Sequence, residues 1–291
     1  MDHAVKWLLR CGLGAIALLL ACGIATAWFG NRLKQTATTT RDGSLITLNR
    51  YAQEPIPDVV LVGSSVTFRL SEPYFSTPRL RNLAIAGGSP MTGLEIVAAR
   101  SQLPKLILVE ANVLSRAADA SLVNRYSGVD AGGPLFFRPV RALVAAYENW
   151  RHAPLRYAEA SAALDRLVKA PPSDFDNRPY LQLAIAQANA EDAGPVTVAN
   201  VEQIKRLAAS IEARGSRLLL FELPYPSELE AARFARETRR IVDGAFPEPG
   251  RWLSIEVARR ELRWPDGAHL DERSAVLVAR AIDKAIASLG R

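Results

Sequence analysis

At 291 residues the chain is long enough to bury one complete α/β core with a modest insertion. Its 49% hydrophobic and 23% charged residues exclude a disordered chain. The net charge is +6, half of it in the first 34 residues, and no block of Lys and Arg interleaved with aromatics is present, which argues against nucleic-acid binding.

From Gly12 to Phe29 the sequence carries no charge, with Lys6 and Arg10 before it and Arg32 and Lys34 after it. Such a stretch spans a bilayer when its flanking residues snorkel. Two competing readings exist: a cleaved signal peptide with Ala25-Thr26-Ala27 as the cut site, and a lipoprotein signal built on Leu19-Leu20-Ala21-Cys22. Apolar character runs past both cut sites to Trp28 and Phe29, which favours an uncleaved single-pass anchor over residues 1–30. The short basic N-terminus is expected to stay in the cytoplasm, leaving the remainder exported, periplasmic or extracellular. Both cysteines, Cys11 and Cys22, lie in this segment, so no disulfide is expected inside the globular part.

Residues 31–56 are polar, rich in Thr and Arg, and read as a stalk with some local structure. The folded domain is expected over 57–291. Apolar runs at Asp58–Val62, Arg79–Ile85, Lys105–Glu110 and Arg217–Glu222 predict strands, with a short fifth at Trp252–Ile255. Ser89-Pro90 opens a helix, with Ser as N-cap and Pro at the first helical position. Val201, Ile204, Ala208 and Ile211 mark an amphipathic helix that Gly215 stops. Further helices are predicted near Glu228–Val242 and from Glu272 to Leu289. Residues of about 115–195 break the alternation, with a Gly-rich stretch from Gly128 to Gly133 and helical segments at Val140–Trp150 and Leu155–Val168. They read as a helical insertion over one edge of the core. Strand and helix in alternation predict a mostly parallel central sheet covered on both faces, with the ligand site beyond the carboxyl ends of the strands.

The chemistry-bearing residues fall at those ends. Ser65 follows the first strand in Gly63-Ser64-Ser65, Gly87 follows the second, and Asn112 the third. Asp266 and His269 stand three residues apart in Trp264-Pro265-Asp266-Gly267-Ala268-His269. A serine hydroxyl needs a histidine to take its proton and a carboxylate to hold that histidine. Only His152 and His269 lie beyond the anchor, and His152 sits beside Trp150 and Arg151 in the insertion, so His269 is the expected general base. Ser64 is a rival to Ser65, because adjacent positions on a tight turn point differently. Arg69, Tyr225 and Glu222 are lesser candidates for contacts with substrate, each with an ordinary structural alternative. No cluster of metal ligands, phosphate-cradling Gly loop or dinucleotide fingerprint appears, so neither metal nor cofactor is expected.

In order, these segments resemble four blocks of the SGNH/GDSL hydrolase superfamily. Gly63-Ser64-Ser65-Val66 matches the first block, with Ser65 in the nucleophile position. Asn82-Leu83-Ala84-Ile85-Ala86-Gly87 matches the second, and Glu110-Ala111-Asn112-Val113 the third, with Gly87 and Asn112 in the oxyanion positions. Asp266-Gly267-Ala268-His269 matches the last. The chain departs from the pattern at Ser64, where the usual residue is Asp, and at Glu110 and Val113, where Gly and Asp are usual. A Gly-Ser-Ser first block is similar to that of membrane-anchored relatives, including the D-alanyl transfer protein of the teichoic acid pathway and the SGNH-like companions of membrane-bound O-acyltransferases.

The resemblance implies a flavodoxin-like three-layer sandwich. It implies catalysis by Ser65, His269 and Asp266, with Ser65, Gly87 and Asn112 holding the oxyanion. The implied activity is transfer of an O-acetyl or other acyl group to a cell-envelope or secreted polysaccharide, with a membrane-bound O-acyltransferase as partner. An esterase or deacetylase acting on such a polysaccharide is the first alternative. A non-catalytic subunit of a polysaccharide synthesis or export complex is the second.

Overall fold

Four short apolar segments pair side by side in the computed structural model, which describes residues 3–29, 37, 39–128, 144, 147, 148, 150, 151 and 157–289. They are β1 (Val59–Val62), β2 (Leu80–Asn82), β3 (Leu106–Glu110) and β4 (Arg217–Phe221). The sheet runs β2-β1-β3-β4, and every pairing is parallel. All carboxyl ends therefore lie along one edge. Alternate residues of each strand face opposite ways. Val59, Leu61, Leu106, Leu108, Leu219 and Phe221 enter one apolar cluster, while Val60, Val62, Ile107, Val109, Leu218 and Leu220 enter another. Burial on both faces explains why these strands read as unbroken apolar runs.

The first face is covered by α3 (Ser65–Phe68), α7 (Arg178–Ala190) and α11 (Glu272–Ser288). The second is covered by α2 (Thr40–Gln53), α4 (Pro90–Ala98), α5 (Ala120–Ser127), α8 (Gly194–Ala213) and α10 (Arg233–Ala245). The expected end signals act as local chemistry dictates. The Ser89 hydroxyl accepts from the Met91 amide at 3.2 Å, and Gly215 takes φ +83° just past α8; α11 is capped in the same way by Asp271, whose carboxylate accepts from the Ser274 amide at 2.8 Å.

Three expectations need correction. The stalk does not extend to residue 56, because Thr40–Gln53 is a helix that seats Leu48 and Tyr51 in the second cluster. Its sequence conceals this, since two of its buried residues, Ser44 and Asn49, are polar. The fifth strand is a single parallel bridge between Leu220 and Trp252. The helix expected over Glu228–Val242 is two, α9 (Ser227–Glu230) and α10, separated at Ala231-Ala232. Within the insertion, α5, α6 (Tyr157–Lys169) and α7 are helical. Most of Gly128–Gly133 and of Val140–Trp150 lies outside the described residues.

At the N-terminus, α1 (His3–Phe29) contains one stretch, His3–Ala25, that includes an 18-residue window of mean hydropathy 2.1. It is long and apolar enough to cross a membrane.

Candidate active site

The residues that follow β1 turn sharply at Gly63 and enter α3. Ser64 is the cap of that helix: its hydroxyl accepts from the Val66 amide at 3.3 Å. Ser65 is the first helical residue. The turn allows nothing larger than glycine at 63, where a Cβ would stand 2.4 Å from the Thr67 Cβ and 2.6 Å from Glu110 Oε2.

Across the carboxyl edge, the loop before α11 brings His269 to this serine. The Ser65 Oγ lies 2.8 Å from His269 Nε2, and His269 Nδ1 lies 2.8 Å from Asp266 Oδ2. Asp266 Oδ1 accepts from the amides of Ala268 at 3.1 Å and His269 at 2.7 Å. A carboxylate only accepts, so Nδ1 carries the imidazole proton and Nε2 is left to accept from the Ser65 hydroxyl. Partial burial works against the charge on Asp266, yet the hydrogen bonds from the His269 side chain and from the His269 and Ala268 amides hold its carboxyl well below the usual carboxylate range. Gly267 takes φ +83° in this loop, a conformation that a Cβ disfavours.

The two serines are thereby distinguished. Ser64 is fully buried and its hydroxyl donates to Glu110 Oε1 at 2.7 Å. Ser65 is half-buried and carries the contact with His269.

The loops that follow β2 and β3 lie beside this turn. Pairing with the β1 segment continues past the end of β2, through Leu83 N–H to Leu61 O at 2.8 Å and Ile85 N–H to Gly63 O at 3.0 Å. This carries the chain to Gly87, which takes φ +73° with open space where a Cβ would be. Asn112 is buried, and its amide is oriented by Leu223: Nδ2 donates to the Leu223 carbonyl at 2.9 Å and Oδ1 accepts from the Leu223 amide at 2.7 Å. One Nδ2 proton remains. Among the described residues, the amides of Ser65 and Gly87 meet no acceptor. Three uncommitted donors thus follow three neighbouring strands.

Sequence reasoning passed over the residues behind Ser65. Glu110 is fully buried at the end of β3. It accepts from the Ser64 amide at 2.8 Å, the Ser64 hydroxyl at 2.7 Å, the Thr67 amide at 3.3 Å and the Thr67 hydroxyl at 2.6 Å. Burial pushes its carboxyl above the ordinary range, and these four donors pull the other way. Asn82 holds the next turn, donating from Nδ2 to the carbonyls of Thr67 and Leu70 at 2.8 Å each. A signal for Glu110 was present: a carboxylate ending an all-apolar strand must find donors.

The lesser candidates are placed elsewhere. Tyr225 is packed in the first apolar cluster. Glu222 pairs with Arg239 at 3.1 Å. Arg69 is exposed at the end of α3. His152 lies outside the described residues. No protein-family model matches the chain, and a search of curated proteins returns no match.

Proposed function

We propose that this chain is a membrane-anchored serine acyl-transfer enzyme of the SGNH hydrolase type, acting outside the cytoplasmic membrane on O-acyl groups of an envelope or secreted polysaccharide. The observation that carries the reading is the unbroken relay Ser65–His269–Asp266, with 2.8 Å at each of its two contacts. Support also comes from the uncommitted Ser65, Gly87 and Asn112 donors and from the apolar N-terminal helix.

In this reading the Ser65 oxygen attacks the acyl carbonyl as His269 Nε2 takes its proton. The tetrahedral oxyanion draws on the three donors, each worth about 3 kcal/mol of barrier. The C–O bond to the donor's oxygen breaks, and His269 returns the proton to that leaving oxygen. In the second half, an acceptor hydroxyl attacks the acyl-serine as His269 takes its proton; the bond between the acyl carbon and Ser65 Oγ breaks, and His269 returns the proton to Ser65 Oγ. Asp266 keeps the imidazole in the required tautomer and stabilises its protonated form. A sugar hydroxyl in the second half gives transfer, with a membrane-bound O-acyltransferase as partner on the donor side. Water gives the esterase or deacetylase reading.

A fluorophosphonate probe tests the serine chemistry. Purified protein is expected to be labelled, and Ser65→Ala is expected to abolish the label. Label that persists in Ser65→Ala would refute the assignment. Incubation with an acetyl ester and an oligosaccharide then separates the two outcomes: acetylated sugar in the mass spectrum supports transfer, and free acetate alone supports the esterase.

A further inference from the structure

Glu110 takes no part in the proton relay, yet among the described residues it gathers donors from both sides of Ser65 in the chain. Its two oxygens receive the amide and the hydroxyl of Ser64, one residue before Ser65, and the amide and the hydroxyl of Thr67, two residues after it. Four donors converge on one acceptor group. A carboxylate matches all four, whereas a group carrying its own proton would have to reverse one of them. The surroundings leave the turn little room to settle otherwise: Ser64, Thr67 and Glu110 are each completely buried, and Gly63 leaves no gap between Thr67 and Glu110.

The consequence concerns which amides remain. Of the four amides from Ser64 to Thr67, that of Ser64 goes to Glu110, that of Val66 to the Ser64 hydroxyl and that of Thr67 to Glu110. Only the Ser65 amide is left over among the described residues. The Ser64 hydroxyl can serve Val66 because Glu110 takes its proton. One carboxylate thus sets the cap, the helix start and the exposed serine together.

We propose that Glu110 is a positioning residue for the proposed acyl-transfer reaction, clamping turn 64–67 so that the Ser65 hydroxyl meets His269 while the Ser65 amide stays free for the oxyanion. This rests on the serine-enzyme reading above. It also accounts for Ser64 and Glu110 together: the carboxylate that the resembled motif carries at position 64 is supplied here from β3, and position 64 carries a hydroxyl that donates to it.

The experiment compares Thr67→Val, Thr67→Ser and Glu110→Gln with the wild type. The readouts are the limiting rate and the half-saturating concentration of fluorophosphonate inactivation, and kcat and KM on a small acetyl ester. Val keeps the bulk of Thr67 and loses the hydroxyl that Glu110 accepts; Ser keeps the hydroxyl and loses a methyl. Positioning through Glu110 predicts that Thr67→Val lowers the limiting rate and kcat by about 10- to 100-fold with KM within about twofold, while Thr67→Ser stays near the wild type. Glu110→Gln should fall with Thr67→Val. A packing role predicts the reverse order, with Thr67→Ser the more impaired, and that result would overturn the proposal even if Glu110→Gln does not fold. Equal rates in all three variants would overturn it as well. A wild type that is not labelled at all would remove the serine chemistry itself, an outcome distinct from an altered ranking among variants.

Discussion

Gly267 of the histidine loop lies directly on the backbone of Leu181: a Cβ at 267 would stand 2.6 Å from the Leu181 Cα and 2.8 Å from its nitrogen. The inserted helix α7 is therefore a wall against which the loop bearing Asp266 and His269 is pressed. Two further hydrogen bonds hold that loop. Asn177 Nδ2 donates to the Trp264 carbonyl at 2.7 Å, and the Trp264 indole donates to the Pro224 carbonyl at 3.0 Å. Gly267→Ala meets both a positive φ and a backbone collision. It is expected to cost about 1–3 kcal/mol, measured by urea denaturation, and to slow fluorophosphonate labelling of Ser65.

The turn at Gly63 makes a parallel prediction. Gly63→Ala drives a methyl into Thr67 and Glu110, neither of which has an open side to retreat to. Labelling of Ser65 should fall about 100-fold, the scale expected for misplacing a reacting group by 1 Å. Wild-type labelling of Gly63→Ala would mean that the turn is not held as described.

Asn112 is tied to Leu223 by two hydrogen bonds, so its substitution should register in stability and in rate. Asn112→Ala leaves the Leu223 amide without its partner, at a cost of about 1–3 kcal/mol. It also removes one proposed oxyanion donor, for a loss of about 100-fold or more in kcat. Asn112→Asp keeps an acceptor for the Leu223 amide but sets a carboxylate oxygen against the Leu223 carbonyl, so it should not rescue kcat. Thermal denaturation and ester turnover check the two effects separately.

Asp266 gives a pH dependence. Its carboxyl is held below the usual range in the folded chain, so its contribution to stability is fully present above the ordinary carboxylate value of about 4 and is lost as pH falls below that value. Denaturation midpoints of wild type and Asp266→Asn should differ at pH 5 and draw together as pH falls below about 4. At neutral pH, Asp266→Asn should also lower turnover, because the asparagine amide no longer fixes the imidazole tautomer.

The helix α2 predicts where a soluble form can begin. Leu48 and Tyr51 are almost completely buried, and burial of Leu48 alone is worth about 1.5–3 kcal/mol. The Ser44 hydroxyl, also buried, accepts from the Ala86 amide at 3.3 Å, next to Gly87. A chain starting near Thr39 should fold and react with the probe. One starting at Pro57 should unfold at markedly lower urea, or fail to fold, as circular dichroism will show.

Different parts of this architecture were legible for different reasons. The strands could be read because segments buried on both faces, such as Val59–Val62, tolerate only apolar residues. Pairing beyond β2 continues to Ile85, as the longer strand read over Arg79–Ile85 anticipates, although its regular part ends at Asn82. The helix α2 was hidden because its contact with the core mixes Leu48 and Tyr51 with buried Ser44 and Asn49, which blurs the apolar stripe.

The alternation of strand and helix, the apolar N-terminal segment and the short roster of groups able to do nucleophilic chemistry were readable from the chain alone, because periodicity, charge and side-chain type are local properties. It took the folded arrangement to show that Ser65, and not Ser64, meets His269 across 204 positions, that Glu110 gathers the turn around Ser65, and that α7 backs the histidine loop. Those are relations in space, fixed when the parallel sheet aligns its carboxyl ends along one edge, and no spacing along the chain specifies the direction in which either of two adjacent hydroxyls will point.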